Sequence, residues 1–306
     1  MAEKSPIQLC VAVTESPESG PDSYVNERNL TSQEGVPMAF GGSLLGHSVA
    51  AAATTVLPGF YVYSLQAAFL KTADPKKKVI YRVERIADGR AYATRIVRAT
   101  QGTSDKCFYV AIVALQNKNI PVGNVLQYGI SAPDVGGMMP EHIPKEKLQE
   151  EITNSMTKDV PLLQLGVDQE PFDWRPLDRP RTTDPTHFRQ RSFVRSPPVS
   201  SNDPNVHLAA LAHLSDTYML GVPLEANQAS VGNKLQNVAM GASLNHNMTL
   251  HDPTARVDEW MLGDRDTFWG SDGRVVTHQR FWSIRSGRLV MSGSQDGLIR
   301  LKNAKL

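Results

Sequence analysis

The chain of 306 residues is long enough for two globular units, and 41% hydrophobic against 21% charged residues is the composition of a folded protein. Its 32 Lys and Arg against 31 Asp and Glu leave a formal charge of +1, which excludes the basic excess on which nucleic-acid binding rests. The start, MAEKSPIQLC, lacks the basic and apolar regions of a secretory signal, and the longest apolar stretch, Ala50 to Leu57, is too short to cross a bilayer, so neither is expected.

Only two cysteines, Cys10 and Cys107, are present, and they form no CxxC pair. A reducing compartment is therefore expected, and no cysteine-built metal site. The first clear element is FGGSLLGHSVAAAATTVL, Phe40 to Leu57, which reads as a helix with a glycine-rich entry and an apolar circumference. Ser64-Leu65-Gln66 then opens SLQAAFLKTADP, and the strands VIYRVERI and AYATRIVRA flank Asp88-Gly89-Arg90. Asp-Gly between alternating residues predicts a tight hairpin in which glycine takes a positive φ. FYVAIVALQ follows as a strand, and Cys107, just before it, is read as an ordinary buried thiol in a strand.

Eleven of the 20 prolines fall between Pro133 and Pro204. Each removes a backbone donor and restrains its neighbour, so this stretch reads as a long connection. A short helix is expected over about Pro144 to Met156 and a strand over Phe188 to Arg195. Beyond it, Val206 to Met219 reads VHLAALAHLSDTYM, a second apolar helix with Asn202 and Asp203 as possible caps. SLNHNMTLHDP at Ser243, a second Asp-Gly-Arg turn at Asp272, and LVMSGSQDGLIR complete the pattern.

The second half repeats the first at an offset of about 180 residues: SLQAAFLKTADP matches SLNHNMTLHDP, and Asp88-Gly89-Arg90 matches Asp272-Gly273-Arg274. The expected fold class is α+β, with two modules in which a long antiparallel sheet wraps a central helix. The divisions are 1–132, a proline-rich connection over 133–187, and 188–306. The chain ends Ala304-Lys305-Leu306, a conservative variant of the Ser-Lys-Leu address read by the peroxisomal import receptor, so a peroxisomal location is expected.

Several blocks in the same order resemble the acyl-CoA thioesterase II family, bacterial and peroxisomal, built as a double hotdog. They are FGGSLLGHSVAAA, ADPKKKVIYRVERIADGRAYATRIVRATQ, SLNHNMTLHDP, DEWML at Asp258 to Leu262, and SQDGLIR, and the match runs from about Phe40 to Lys302. The resemblance implies a catalytic Asp on the second helix, a Ser or Thr opening the next strand, and a Gln in the last strand. These fall on Asp216, Ser243 and Gln295. It also implies a fatty acyl-CoA substrate, no cofactor, and a homo-oligomer. The chain departs from the family block at Asn245, where an Asp is usual, and at Thr249 and Leu250, where aromatics are usual. Those positions are expected to bear on acyl-chain preference.

A thioester carbonyl is electrophilic and its thiolate leaves readily, with a reference pKa near 8.5, so a water oriented by Ser243 and Gln295 and deprotonated by Asp216 suffices for hydrolysis. No GxSxG elbow supports a covalent serine: Leu and Asn stand where the last glycine would fall after Ser43 and Ser243. His246 and His251, five apart on a strand, point to opposite faces and make a poor metal pair, with or without His213. Lys76 to Lys78 read as a solvated turn, or as contacts for coenzyme A phosphates. Two alternatives stay open. Asp203-Pro204-Asn205-Val206-His207 approaches the motif of hotdog enoyl-CoA hydratases with its histidine one residue too close, and a non-catalytic acyl-CoA binding protein would keep the same fold.

Overall fold

The computed structural model describes residues 3–32, 38–102, 106–121, 123–145, 171–177, 182–232 and 235–302. In the first half, α1 (Pro6–Cys10), β1 (Val13–Glu15) and β2 (Ser23–Asn26) precede α2 (Gly41–Thr54). Four long strands follow: β3 (Phe60–Phe69), β4 (Val79–Asp88), β5 (Tyr92–Gln101) and β6 (Tyr109–Asn117). The second half holds β7 (Asp173–Pro176), β8 (Arg189–Arg195), α3 (Pro204–Asp216), β9 (Val238–Leu250), β10 (Met261–Ser271), β11 (Arg274–Ser283) and β12 (Leu289–Leu301).

The strands form one twelve-stranded sheet in the order β1-β2-β4-β5-β6-β3-β9-β12-β11-β10-β8-β7. Its centre is the antiparallel pair β3 and β9, in register from Ser64 opposite Thr249 to Ala68 opposite Asn245. These strands carry the repeated sequence. Ala67 pairs with its own repeat counterpart, His246, so the local twofold that relates the modules passes through that pair.

Both helices are largely buried. They pack on one another as well as on the sheet. Gly42 lies against the carbonyl of His213 and Gly46 against that of Ala209, which makes α2 and α3 antiparallel and brings their backbones into contact. One core joins the modules through Leu45, Val49, Leu65, Leu115, Leu208 and Phe281.

The two helix starts differ. Asp203 caps α3 by accepting from Asn205 N at 3.0 Å, with Pro204 in the first turn. At α2 the N-cap residue is Phe40, which offers no side-chain acceptor, so the first-turn amides face outward uncapped from within.

Four expectations are corrected. Only the second Asp-Gly is a tight turn of the expected kind, with positive φ at both Asp272 (54°) and Gly273 (76°); Gly89 lies in a three-residue loop without one. The connection supplies β7, which pairs with β8 and ends the sheet, as strand pairing needs few residues. The second helix stops at Asp216 instead of Met219, because Tyr218 takes a φ of 61° that no α-helix admits. Cys107 precedes β6 and is half-buried, with Sγ 2.9 Å from the Tyr109 carbonyl. The helix expected over Pro144 to Met156 lies almost wholly outside the described residues.

Candidate active site

A cavity of about 380 Å³ opens where the two modules meet. Its walls are the start of α2 (Phe40, Gly41, Leu44), the end of α3 (Asp216), and parts of β9 and β12, including Ser243 and Gln295. The lining is mainly apolar, and Asp216 and Lys71 are its only charged side chains among the described residues. The three polar side chains singled out by sequence therefore come together on one space, although they stem from a helix and two strands.

Local backbone detail makes this possible. Ser243 lies five residues into β9 instead of at its opening. The β9–β12 register shifts there: Asn245 opposes Asp296 and Ser243 opposes Gly297, so Leu244 is an extra residue in a β-bulge. Without the bulge, Ser243 and His246, three apart, would point to opposite faces. With it, both reach Gln295, which is 1% exposed. The Gln295 Nε2 donates to Ser243 Oγ at 2.9 Å, and His246 Nδ1 lies 2.6 Å from Gln295 Oε1.

Asp216 is 7% exposed, and its Oδ1 is buried with no hydrogen-bond partner among the described residues. Its Oδ2 rests where a Cβ on Gly41 would lie 2.7 Å away, so only glycine admits the carboxylate at this helix start. Burial pushes the Asp216 pKa up to about 6, while the Gly42 N–H, the Gln295 amide and the Arg265 guanidinium each pull it back. The carboxylate of the second module thus occupies the positive end of the first module's uncapped helix. Arg265 is buried, its guanidinium 5.1 Å from the centre of the Trp174 ring.

His246 is the site residue that sequence reasoning passed over, having been weighed only as a metal ligand. It is fully buried, and burial lowers its pKa to about 4, so the ring is neutral. The signal was the strand alternation from Asn245 to Leu250, which turns His246, Met248 and Leu250 inward. That alternation also corrects the expectation about departures: Asn245 and Thr249 face outward, and neither they nor the core residue Leu250 lines the cavity. His251 lies past the end of β9, exposed and 2.8 Å from Ser292 Oγ.

The rival motifs are engaged elsewhere. Asp203 caps α3, and His207 has Nε2 3.0 Å from the Ser201 carbonyl while its Nδ1 accepts from Val257 N. Twelve residues of helix, about 18 Å, separate that end of α3 from Asp216. Ser43 is buried against Thr31 Oγ1 at 2.8 Å. Lys78 is tied to the carbonyls of Asn26 and Glu27, and Lys77 pairs with Asp74.

Comparison with known proteins gives the family and the fold. Residues 31–116 match the model of the acyl-CoA thioesterase N-terminal domain and residues 146–299 that of the C-terminal domain. Acyl-coenzyme A thioesterase 8 of Mus musculus is 30% identical over 276 residues, covering 86% of this chain and 80% of the mouse protein. The peroxisomal acyl-coenzyme A thioester hydrolase 1 of Saccharomyces cerevisiae is 23% identical over 91% of this chain and 90% of its own. An acyl-CoA thioesterase II from Mycobacterium marinum superposes with a TM-score of 0.74 at 24% identity, covering 97% of this chain and 99% of that one. A hot dog fold protein from Alicyclobacillus acidocaldarius gives 0.71 at 15%, with the same coverage, so the fold is the double hotdog. This chain belongs to the acyl-CoA thioesterase II family.

Proposed function

We propose that the chain hydrolyses fatty acyl-CoA thioesters by direct attack of water, with Asp216 as general base and Ser243 and Gln295 holding the water in line. The observation that carries the reading is convergence: the buried carboxylate, the hydroxyl and the amide share one apolar cavity, with Gln295 bonded to Ser243. The Asp216 carboxylate lines the cavity and is the acceptor for the proton of the water. The water oxygen bonds to the thioester carbon as that proton passes to Asp216. The oxyanion so formed collapses, the C–S bond breaks, and the thiolate of coenzyme A recovers the proton, leaving the free fatty acid. The start of α2, with Gly41 in the cavity wall, brings the positive end of a helix to the negative charge that develops on the carbonyl oxygen.

In this reading segment 188–306 supplies all three side chains, segment 1–132 supplies the helix start, and 133–187 connects them. Ala304-Lys305-Leu306 addresses the enzyme to the peroxisomal matrix through the import receptor; these residues lie outside the described ones. A fluorescent fusion that masks Leu306 is expected to turn diffuse. The test of the chemistry is thiol release from a panel of acyl-CoAs by wild type and Asp216→Asn, with hydration of an enoyl-CoA followed in parallel. Loss of about 100-fold to 10,000-fold in turnover is expected for the variant. Thiol release that survives the substitution, or enoyl-CoA hydration in its place, overturns the assignment.

A further inference from the structure

We propose that His246 is the positioning residue of this site: its ring, as the neutral Nδ1–H tautomer, fixes which way the Gln295 amide faces and ties together the three elements that carry the catalytic groups. The proposal rests on the reading of the function above. An amide side chain presents either its oxygen or its NH₂ to a given partner, and for Gln295 the choice decides the chemistry. With Oε1 turned to His246, the NH₂ faces Ser243 and the Asp216 carboxylate. With the amide reversed, an oxygen would face the carboxylate and repel it.

The tautomer follows from the orientation of the amide. Gln295 Oε1 accepts and cannot donate, so at 2.6 Å the hydrogen belongs to His246 Nδ1. The other nitrogen, Nε2, is then an acceptor, and Ser215 Oγ lies 2.8 Å from it. That hydroxyl also lies 2.8 Å from the Ala212 carbonyl, so its one hydrogen is shared between the ring and the helix. Ser215 immediately precedes Asp216. It is held from the far side as well, since Gln279 Nε2 donates to its carbonyl at 2.6 Å. One imidazole thus links the end of α3, which carries Asp216, to β9, which carries Ser243, and to β12, which carries Gln295.

The first module supports this reading by what it lacks. His246 pairs in register with Gln295, and the equivalent pair across the twofold is Ala67 with Ala111. Both members of the pair differ in the first module, which keeps a serine, Ser64, but has alanine in place of the glutamine. A core histidine kept for packing alone has no need of a glutamine opposite.

The test compares His246→Leu, which removes both ring nitrogens, with His246→Asn, whose amide NH₂ takes the place of Nδ1–H. Thiol release from one acyl-CoA gives kcat and KM, and thermal unfolding verifies that each variant folds. His246→Leu is expected to lose about 10-fold to 100-fold in kcat with KM changed by less than about threefold, and His246→Asn to recover most of the loss. Labelled-histidine NMR of the wild type is expected to show His246 as the neutral Nδ1–H tautomer. A folded His246→Leu with wild-type kcat, an Asn variant no better than Leu, or an Nε2–H tautomer overturns the proposal. Should His246→Leu not fold, the tautomer and the Asn variant decide. A wild type that releases no thiol counts against the function instead, and the tautomer still reports on the positioning.

Discussion

Gly42 of α2 sits so close to His213 of α3 that a Cβ added to it would lie 2.5 Å from the His213 carbonyl oxygen. One turn on, a Cβ at Gly46 would meet Val11 at 2.7 Å and the Ala209 carbonyl at 3.1 Å. Alanine gains about 1 kcal/mol over glycine in an exposed helix, but here backbone must move to admit it. Gly46→Ala is expected to destabilise by about 1–3 kcal/mol in urea unfolding. Gly42→Ala, beside the Phe40 ring and the end of α3, is expected to lower turnover as well. A neutral or stabilising result at both positions would show slack between the helices.

The buried carboxylate costs stability, and the sign follows from its pKa. Asp216 titrates at about 6 in the fold against an ordinary 3.8, so between those values the folded chain holds a proton that the unfolded chain has lost. Stability therefore falls as pH rises from about 4 to about 6 and stays lower above, by about 3 kcal/mol for a shift of roughly two units. Asp216→Asn is expected to unfold with wild type below pH 4 and to be the more stable protein at pH 8. Equal stability at pH 8 would place the carboxylate in bulk solvent.

The same titration sets the acid side of catalysis. A general base works only when ionised, so kcat/KM is expected to rise with pH through a single proton near 6 and to level off above. His246, at about 4, and His213, at about 3, are already neutral there and contribute nothing to that limb. A rise centred near 4, at the ordinary carboxylate value, would exclude a buried Asp216 as the base.

The repeat, the central helices and the three polar side chains that meet in the cavity were legible in the sequence because each leaves a linear mark: period, apolar circumference, spaced blocks. The site's assembly was not. The bulge at Leu244 that sets Ser243 and His246 on one face has no residue signature, since leucine there fits a regular strand equally well. The helix start that holds Asp216 comes from a module some 170 residues earlier, and only the fold brings Gly41 to that carboxylate. β7 escaped notice because four residues, Asp-Trp-Arg-Pro, among prolines show too little alternation to read as a strand.

Twofold relation of the modules produces a second cavity, also about 380 Å³, at the end of α2 and the start of α3. It is furnished differently. Asn205 spans it, donating to the Phe60 carbonyl at 3.1 Å and accepting from Val62 N at 3.3 Å, and its one carboxylate, Asp203, caps α3. One substrate per chain is therefore expected. Calorimetric titration with a non-hydrolysable thioether analogue of acyl-CoA should saturate at one equivalent, and two equivalents of like affinity would mean that both cavities accept substrate.

Gly297 offers a test of where the acyl chain lies in the cavity. It opposes Ser243 across β9 and β12, and a Cβ on it would lie 2.3 Å from Leu220 Cδ2 and 3.3 Å from Val275. The nearer atom is the tip of a flexible side chain in the cavity wall, so the helix and strand can stay in place while Leu220 turns aside. Turned from the sheet, its isobutyl group enters the space that the acyl chain would fill. Gly297→Ala is expected to keep kcat/KM for short acyl-CoAs within about threefold of wild type and to lose about 10-fold or more for long ones, the scale of one or two displaced methylenes in an apolar pocket. A uniform loss at every chain length would mean that the substitution disturbs Ser243 across the strand pair, and no loss at any length would put Leu220 outside the acyl path.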